Sequence, residues 1–137
     1  MKSSTLRWHY LSEAAMMLLL ARIAVRILPA SQIFSWANRP QRRCRRFAAA
    51  EASWTAWSIE TLSAKPWVGA SCLPCALAAH AMLRRRGIAS RLCLGVARDD
   101  RTLVAHAWVE SEQSVIVGAA EAARVNLIAE FGGVVRR

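Results

Sequence analysis

The feature that most constrains this chain is a change of rhythm just past its middle. Residues Ser71 to Gly87 read as one helix, with Ser71 or Leu73 as its cap and Pro74 in the first turn, where a missing N–H is tolerated. Arg84, Arg85 and Arg86 sit in its last turn and Gly87 just past its end. The period then shortens to two. Three strand-like runs follow, Ser90 to Val96, Leu103 to Glu110 and Ser114 to Gly118, separated by the turn-rich Arg98-Asp99-Asp100-Arg101 and by Ser111-Glu112-Gln113. Connections this short cannot carry a crossover, so the strands are expected as an antiparallel meander.

The N-terminal half is helical in pattern. Ser12 to Leu28 has helix punctuation: Ser12 as N-cap, Glu13 complementing the N-terminal dipole, and Pro29 as the stop. Arg22 and Arg26 form one polar stripe on an otherwise apolar cylinder, which implies a helix buried on most sides or lying against a partner or a membrane surface, the first two being favoured. A basic linker, Asn38 to Arg46, leads into a second helix ending near Ser63, where Phe47, Trp54, Trp57 and Leu62 recur at core spacing. Lys65 to Gly69 reads as a loop, and Ala119 to Arg137 as a short helix or a tail. The expected fold is α+β: N-terminal helices, then a cysteine-bearing helix packed on a small antiparallel sheet. At 137 residues the chain suits one domain, residues 1–137, divided into a helical part (1–64) and a sheet-bearing core (65–137).

Nineteen Lys and Arg against nine Asp and Glu give a net charge of +10, nearly all of it arginine. The planar guanidinium suits carboxylates and phosphates alike, so an acidic partner is implied. Nucleic acid is not the expected one, because the arginines fall in no zinc-finger, homeodomain or RNA-recognition pattern. The apolar run Ala14 to Ala21 follows Glu13 and is interrupted beyond its end by Arg22 and Arg26. It has neither the flanks of a signal peptide nor the length of a membrane span, about 20 residues. Membrane association is therefore not expected, and the chain reads as cytoplasmic. Its four cysteines, Cys44, Cys72, Cys75 and Cys93, read as reduced thiols.

Two residues could carry chemistry together. Cys72 falls in the first turn of its helix, where unpaired N–H groups and the helix dipole favour negative charge, a setting that makes a thiol a nucleophile. His106 lies mid-strand, sharing a face with Val104, Trp108 and Glu110, while Ala105, Ala107 and Val109 share the other. A helix start packed over the His106 face would make a Cys–His pair. Glu110 cannot orient that imidazole, being four residues and roughly 13 Å away along the strand. Glu121, Asn126 or a backbone carbonyl would have to serve. Structural roles compete: a cysteine near a helix start is usually a small apolar residue, and a histidine on a strand is usually a hydrogen-bonded one. Cys72-Leu73-Pro74-Cys75 also has thioredoxin spacing, so a thiol–disulfide oxidoreductase is the alternative enzyme. Against it, such a motif wants a strand just before it. A basic, non-enzymatic binding protein is the third reading. Zinc from Cys72, Cys75, Cys93 and one of Cys44, His80 or His106 would need two tight ligand pairs, and only one exists. No cofactor or metal is expected, for the chain has no P-loop or dinucleotide glycine pattern.

The stretch Cys72-Leu73-Pro74-Cys75-Ala76-Leu77-Ala78-Ala79-His80 through Arg86-Gly87-Ile88, followed by Leu94-Gly95-Val96 and by Ala105-His106-Ala107-Trp108-Val109-Glu110, resembles the protease component of lasso-peptide biosynthesis B proteins, in the transglutaminase-like superfamily. The helix Glu13 to Pro29 resembles the opening of that family as well. The resemblance implies a transglutaminase-like, papain-like core and a thiol peptidase that removes the leader from a ribosomally made precursor. It places the nucleophile at Cys72 and the base at His106. The third member, an aspartate in some relatives, falls near Gly118, where this chain has none, leaving Glu121 as a candidate. The implied partners are the precursor peptide, a separate leader-recognition protein and an ATP-dependent macrolactam cyclase.

Overall fold

The computed structural model describes residues 2–40, 49–65, 72–111, 114–118 and 125–132. Among them four helices precede four strands: α1 (Lys2–Ile27), α2 (Ala30–Ala37), α3 (Ala49–Ser63), α4 (Cys72–Arg85), β1 (Arg91–Asp99), β2 (Thr102–Ser111), β3 (Ser114–Val117) and β4 (Asn126–Gly132). The expected α+β order holds, with two additions and one displaced helix start.

The displaced start is that of α1. It begins at Lys2, so Ser12 caps nothing: its hydroxyl donates back to the His9 carbonyl at 3.0 Å, a mid-helix back-bond. Glu13 therefore does not serve a helix dipole. It is buried and paired with Arg86, with Arg85 adding a contact at 3.0 Å. Pro29 does stop α1, but it also opens α2, since its extended backbone (φ −63°, ψ 148°) turns the chain and its carbonyl accepts from the Gln32 and Ile33 amides. The apolar Ile33 and Ala37 pin this short helix to the core.

At the centre of the helical layer runs α4. Every residue from Pro74 to His80 is buried, as are Met82 and Leu83, which an edge helix with one apolar face would not show. Small side chains make this possible: Ala76, Ala78 and Ala79 on α4 and Ala14 and Ala21 on α1 are all buried, and they let the two packed helices approach closely. Gly87, at φ 74°, ends α4 in the left-handed conformation that glycine adopts without steric cost.

The sheet order is β3-β2-β1-β4, with every neighbouring pair antiparallel. The first three strands form the expected meander. Asp100, at φ 54°, turns the β1–β2 hairpin between Asp99 and Thr102, so β1 runs three residues beyond its expected end at Val96. The tail was expected as a helix or an unstructured end; its residues Asn126–Gly132 instead form β4 on the free edge of β1. An open strand edge offers a row of unpaired N–H and C=O groups, and pairing them outweighs the weak local preference of this segment. Leu92, Leu94, Ala107, Val109, Val117 and Phe131 bring the sheet into the same core as the helices.

Candidate functional site

Cys72 is the first residue of α4 and is half-buried against the core, while Cys75, one turn on, and Cys93 on β1 are buried. Helix starts leave backbone N–H groups without an intrahelical partner, so Cys72 combines partial access with a local positive field. Burial pushes the Cys93 thiol up to about 12, with Glu110 and Glu130 adding to the effect and Arg91 opposing it. A thiol held protonated in this way is inert at neutral pH.

His106 is half-buried on β2, an inner strand, directly opposite Gly95 of β1. Paired residues of an antiparallel sheet share a face, so His106 stands with Gly95, Trp108 with Cys93, and Glu110 with Arg91. That much agrees with the alternation in the sequence. The other face, with Ala107, Val109, Leu92 and Leu94, is the one packed into the helical core, whereas Trp108 and Cys93 are buried apart from it. The helical core thus lies against the Ala107 face and not against the His106 face over which the start of α4 was expected. Among the described residues no hydrogen bond joins Cys72 to His106.

Two bonds order the same face of the sheet further along. The Trp108 indole N–H donates to Glu110 at 3.0 Å, and Arg91 donates to the other oxygen of the same carboxylate at 3.1 Å. Glu110 is therefore committed to Trp108 and Arg91, which agrees with its exclusion as the orienter of His106. Gly95 keeps this face thin. A methyl group there would stand 2.8 Å from the Asn126 carbonyl and 2.9 Å from the Trp108 ring, so only glycine lets β4 pair along β1 at the position opposite His106. The pairing shifts at this point, between Leu94 and Gly95. Of the candidates for a third member, Glu121 lies outside the described residues, and Asn126 opens β4 with β1 between it and β2. The β2–β3 pairing, shifted between Val109 and Glu110, sets Val117 opposite Val109, so Gly118 packs beside Trp108 and not opposite His106.

The other sequence candidates have structural occupations. The ring of His80 is fully buried, accepting from the Ser90 hydroxyl at 2.7 Å on Nδ1 and donating to the Ala37 carbonyl at 3.0 Å from Nε2, which leaves no nitrogen for a metal. Among the described residues no cluster of three or more His, Cys, Asp or Glu converges on a point. The element before α4 among the described residues is the helix α3, not the strand a thioredoxin-type motif requires. No helix of the described residues is long and apolar enough to cross a membrane. What sequence reasoning missed is α2 and the groove it closes with α1 and α4; the signal lay in Ile33, Phe34 and Trp36 recurring just after Pro29.

Cys72 thus opens the central helix, and His106 stands mid-strand on a short antiparallel sheet. The family model described as Transglut_core3, transglutaminase-like superfamily, matches residues 15–130. The chain belongs to that superfamily, and the match runs from the second half of α1 through α4 and the first three strands into β4. No curated protein and no solved structure matches it.

Proposed function

We propose that this chain is a cysteine peptidase that removes the leader from a lasso-peptide precursor, with Cys72 as nucleophile and His106 as its base. The observation that carries the reading is the superfamily match over residues 15–130 combined with Cys72 opening the central helix, half-exposed, while Cys75 and Cys93 are buried. The two residues stand on elements that are joined at one point, where Ser111 at the end of β2 donates to the Ala89 carbonyl just past α4.

In the proposed reaction the Cys72 thiol transfers its proton to His106 and the sulfur attacks the carbonyl carbon of the last leader residue. The peptide C–N bond breaks as His106 returns the proton to the departing amine. Water, deprotonated by His106, then adds to the thioester, releasing the leader acid and restoring the thiol. The Cys72 backbone N–H, at the helix start, is a donor for the transient oxyanion. Delivery of the precursor by a separate recognition protein, and hand-over of the freed core to an ATP-dependent cyclase, are part of this proposal.

The experiment combines the purified chain with the precursor and recognition protein encoded beside it, following leader release by mass spectrometry. Cys72→Ala and His106→Ala should each lose at least about a thousandfold in rate, and Cys75→Ala should retain most of it. Cleavage by Cys72→Ala at the wild-type rate would refute the proposal. So would reduction of insulin disulfides with no peptide bond cut and a dependence on Cys75, the signature of an oxidoreductase.

A further inference from the structure

We propose that the groove between α1, α2 and α4 is a docking site for an amphipathic, acid-flanked helix of a partner protein. The groove has a volume of about 680 Å³ and is lined by Leu20 and Ala24 of α1, Trp36 of α2, Leu77 and Ala81 of α4, and the exposed Arg39. That is room for several apolar side chains. It opens beside a second apolar surface on α1, where Met16, Leu19, Leu20, Ile23 and Ile27 are between 44% and 71% exposed. At 100° per residue these five fall within an arc about 100° wide, adjoining the groove and pointing away from the core positions Ala14, Leu18 and Ala21. A self-contained helix would carry polar residues there, and an apolar stripe this continuous marks a contact surface.

Charge identifies the occupant. Arg39 stands on the α2 side of the groove, and Arg22 and Arg26 follow the stripe on its far side around α1. Among the described residues no carboxylate lines the groove; Glu13, on the same side of α1 as Leu20 but two turns earlier, is held by Arg85 and Arg86. The surface is thus an apolar groove and an adjoining apolar ridge, with Arg39 at one edge and Arg22 and Arg26 at the other. A second copy of the chain, itself at +10, would bring like-charged rims together. A flat bilayer would meet the convex stripe but leave the concave groove unfilled. A helix lying along the ridge, with apolar anchors at i, i+3, i+4 and i+7 reaching into the groove and carboxylates on both flanks, meets Arg39 on one side and Arg26 on the other. The stripe from Met16 to Ile27 is about 17 Å long at 1.5 Å per residue, or three turns of such a helix. The inference is independent of whether Cys72 is a nucleophile.

The test is fluorescence anisotropy of the full chain with a labelled synthetic helix of about four turns carrying that Leu pattern with Glu flanks. Saturable binding is expected, weakened about tenfold or more by Leu20→Asp or Ala24→Glu and unchanged by Leu103→Asp on the exposed end of β2. A Lys-flanked peptide should bind poorly to the wild type and better to Arg39→Glu, which supports the proposal even if an apolar variant folds badly. Circular dichroism checks that folding. Absence of saturable binding, or binding indifferent to Leu20→Asp and to the sign of the flanks, would overturn the proposal. Sedimentation showing self-association abolished by Leu20→Asp would overturn it too. So would capture by phosphatidylglycerol vesicles with no peptide binding.

Discussion

His80 is held neutral by its surroundings, and the protein's acid stability should report it. Burial lowers its pKa from 6.5 to about 4, the Ala37 hydrogen bond opposes the shift, and Arg84 adds to it. In the unfolded chain the ring takes up a proton near pH 6.5; in the fold it resists until about 4. The stabilisation is therefore complete above pH 6.5 and is lost as the pH falls toward 4, by about 3 kcal/mol in total. Urea midpoints across that window should fall for the wild type and stay flatter in His80→Gln, whose amide can still donate to Ala37 and accept from Ser90. Equal slopes would show that some other group titrates. The thiols make a second test. Iodoacetamide at neutral pH should label Cys72 well before Cys75, with Cys93 protected until unfolding, as read by peptide mapping. Early labelling of Cys93 would contradict the core as described.

Elements differ in how openly the sequence announces them, and the difference is physical. The end of α4 was legible because Gly87 and the three arginines are local signals, and β1 to β3 because alternation is local too. The start of α1 was not, since Ser12 looks like a cap in sequence and only the structure shows its hydroxyl bonded to His9. β4 was hidden for another reason: its strand state comes from the open edge of β1, a partner separated from it by about thirty residues of chain. The candidate site divides the same way. Cys72 at a helix start and His106 on a strand are set locally. Which face of β2 the helices cover is set by packing, and it fell to Ala107 and Val109. Gly95 joins these levels, because it lets β4 close onto β1 opposite His106. Gly95→Ala should cost about 1–3 kcal/mol, by forcing the added methyl against the Asn126 carbonyl and the Trp108 ring. Faster amide exchange in β4, with α4 unaffected, is the expected signature. A melting temperature equal to wild type would mean that β4 does not lie against Gly95.

The first and fourth helices of the molecule are joined by a buried ion pair whose members stand 73 residues apart in sequence. Glu13 of α1 is 8% exposed and Arg86, just past α4, is 14% exposed. Arg86 also donates to the Met82 carbonyl at 3.1 Å and lies over the Tyr10 ring at 4.4 Å. Burial works against the Arg86 charge, but hydrogen bonding and Coulomb attraction from Glu13, with Tyr10 assisting, outweigh it and raise its pKa. Such a pair is dangerous to break and nearly dispensable when replaced together, because the large cost is that of a buried charge left alone. Glu13→Ala should therefore destabilise the protein by about 3–5 kcal/mol, with the exposed Arg85 unable to compensate. Joint replacement by Glu13→Leu and Arg86→Met, of similar volume and without charge, should recover most of that loss. Denaturant melts of the single and double variants decide the matter. A loss below about 1 kcal/mol in Glu13→Ala would place the pair at the surface. A double variant no better than the single would show that the contact of Arg86 with Tyr10, not the charge pair, holds α1 onto α4.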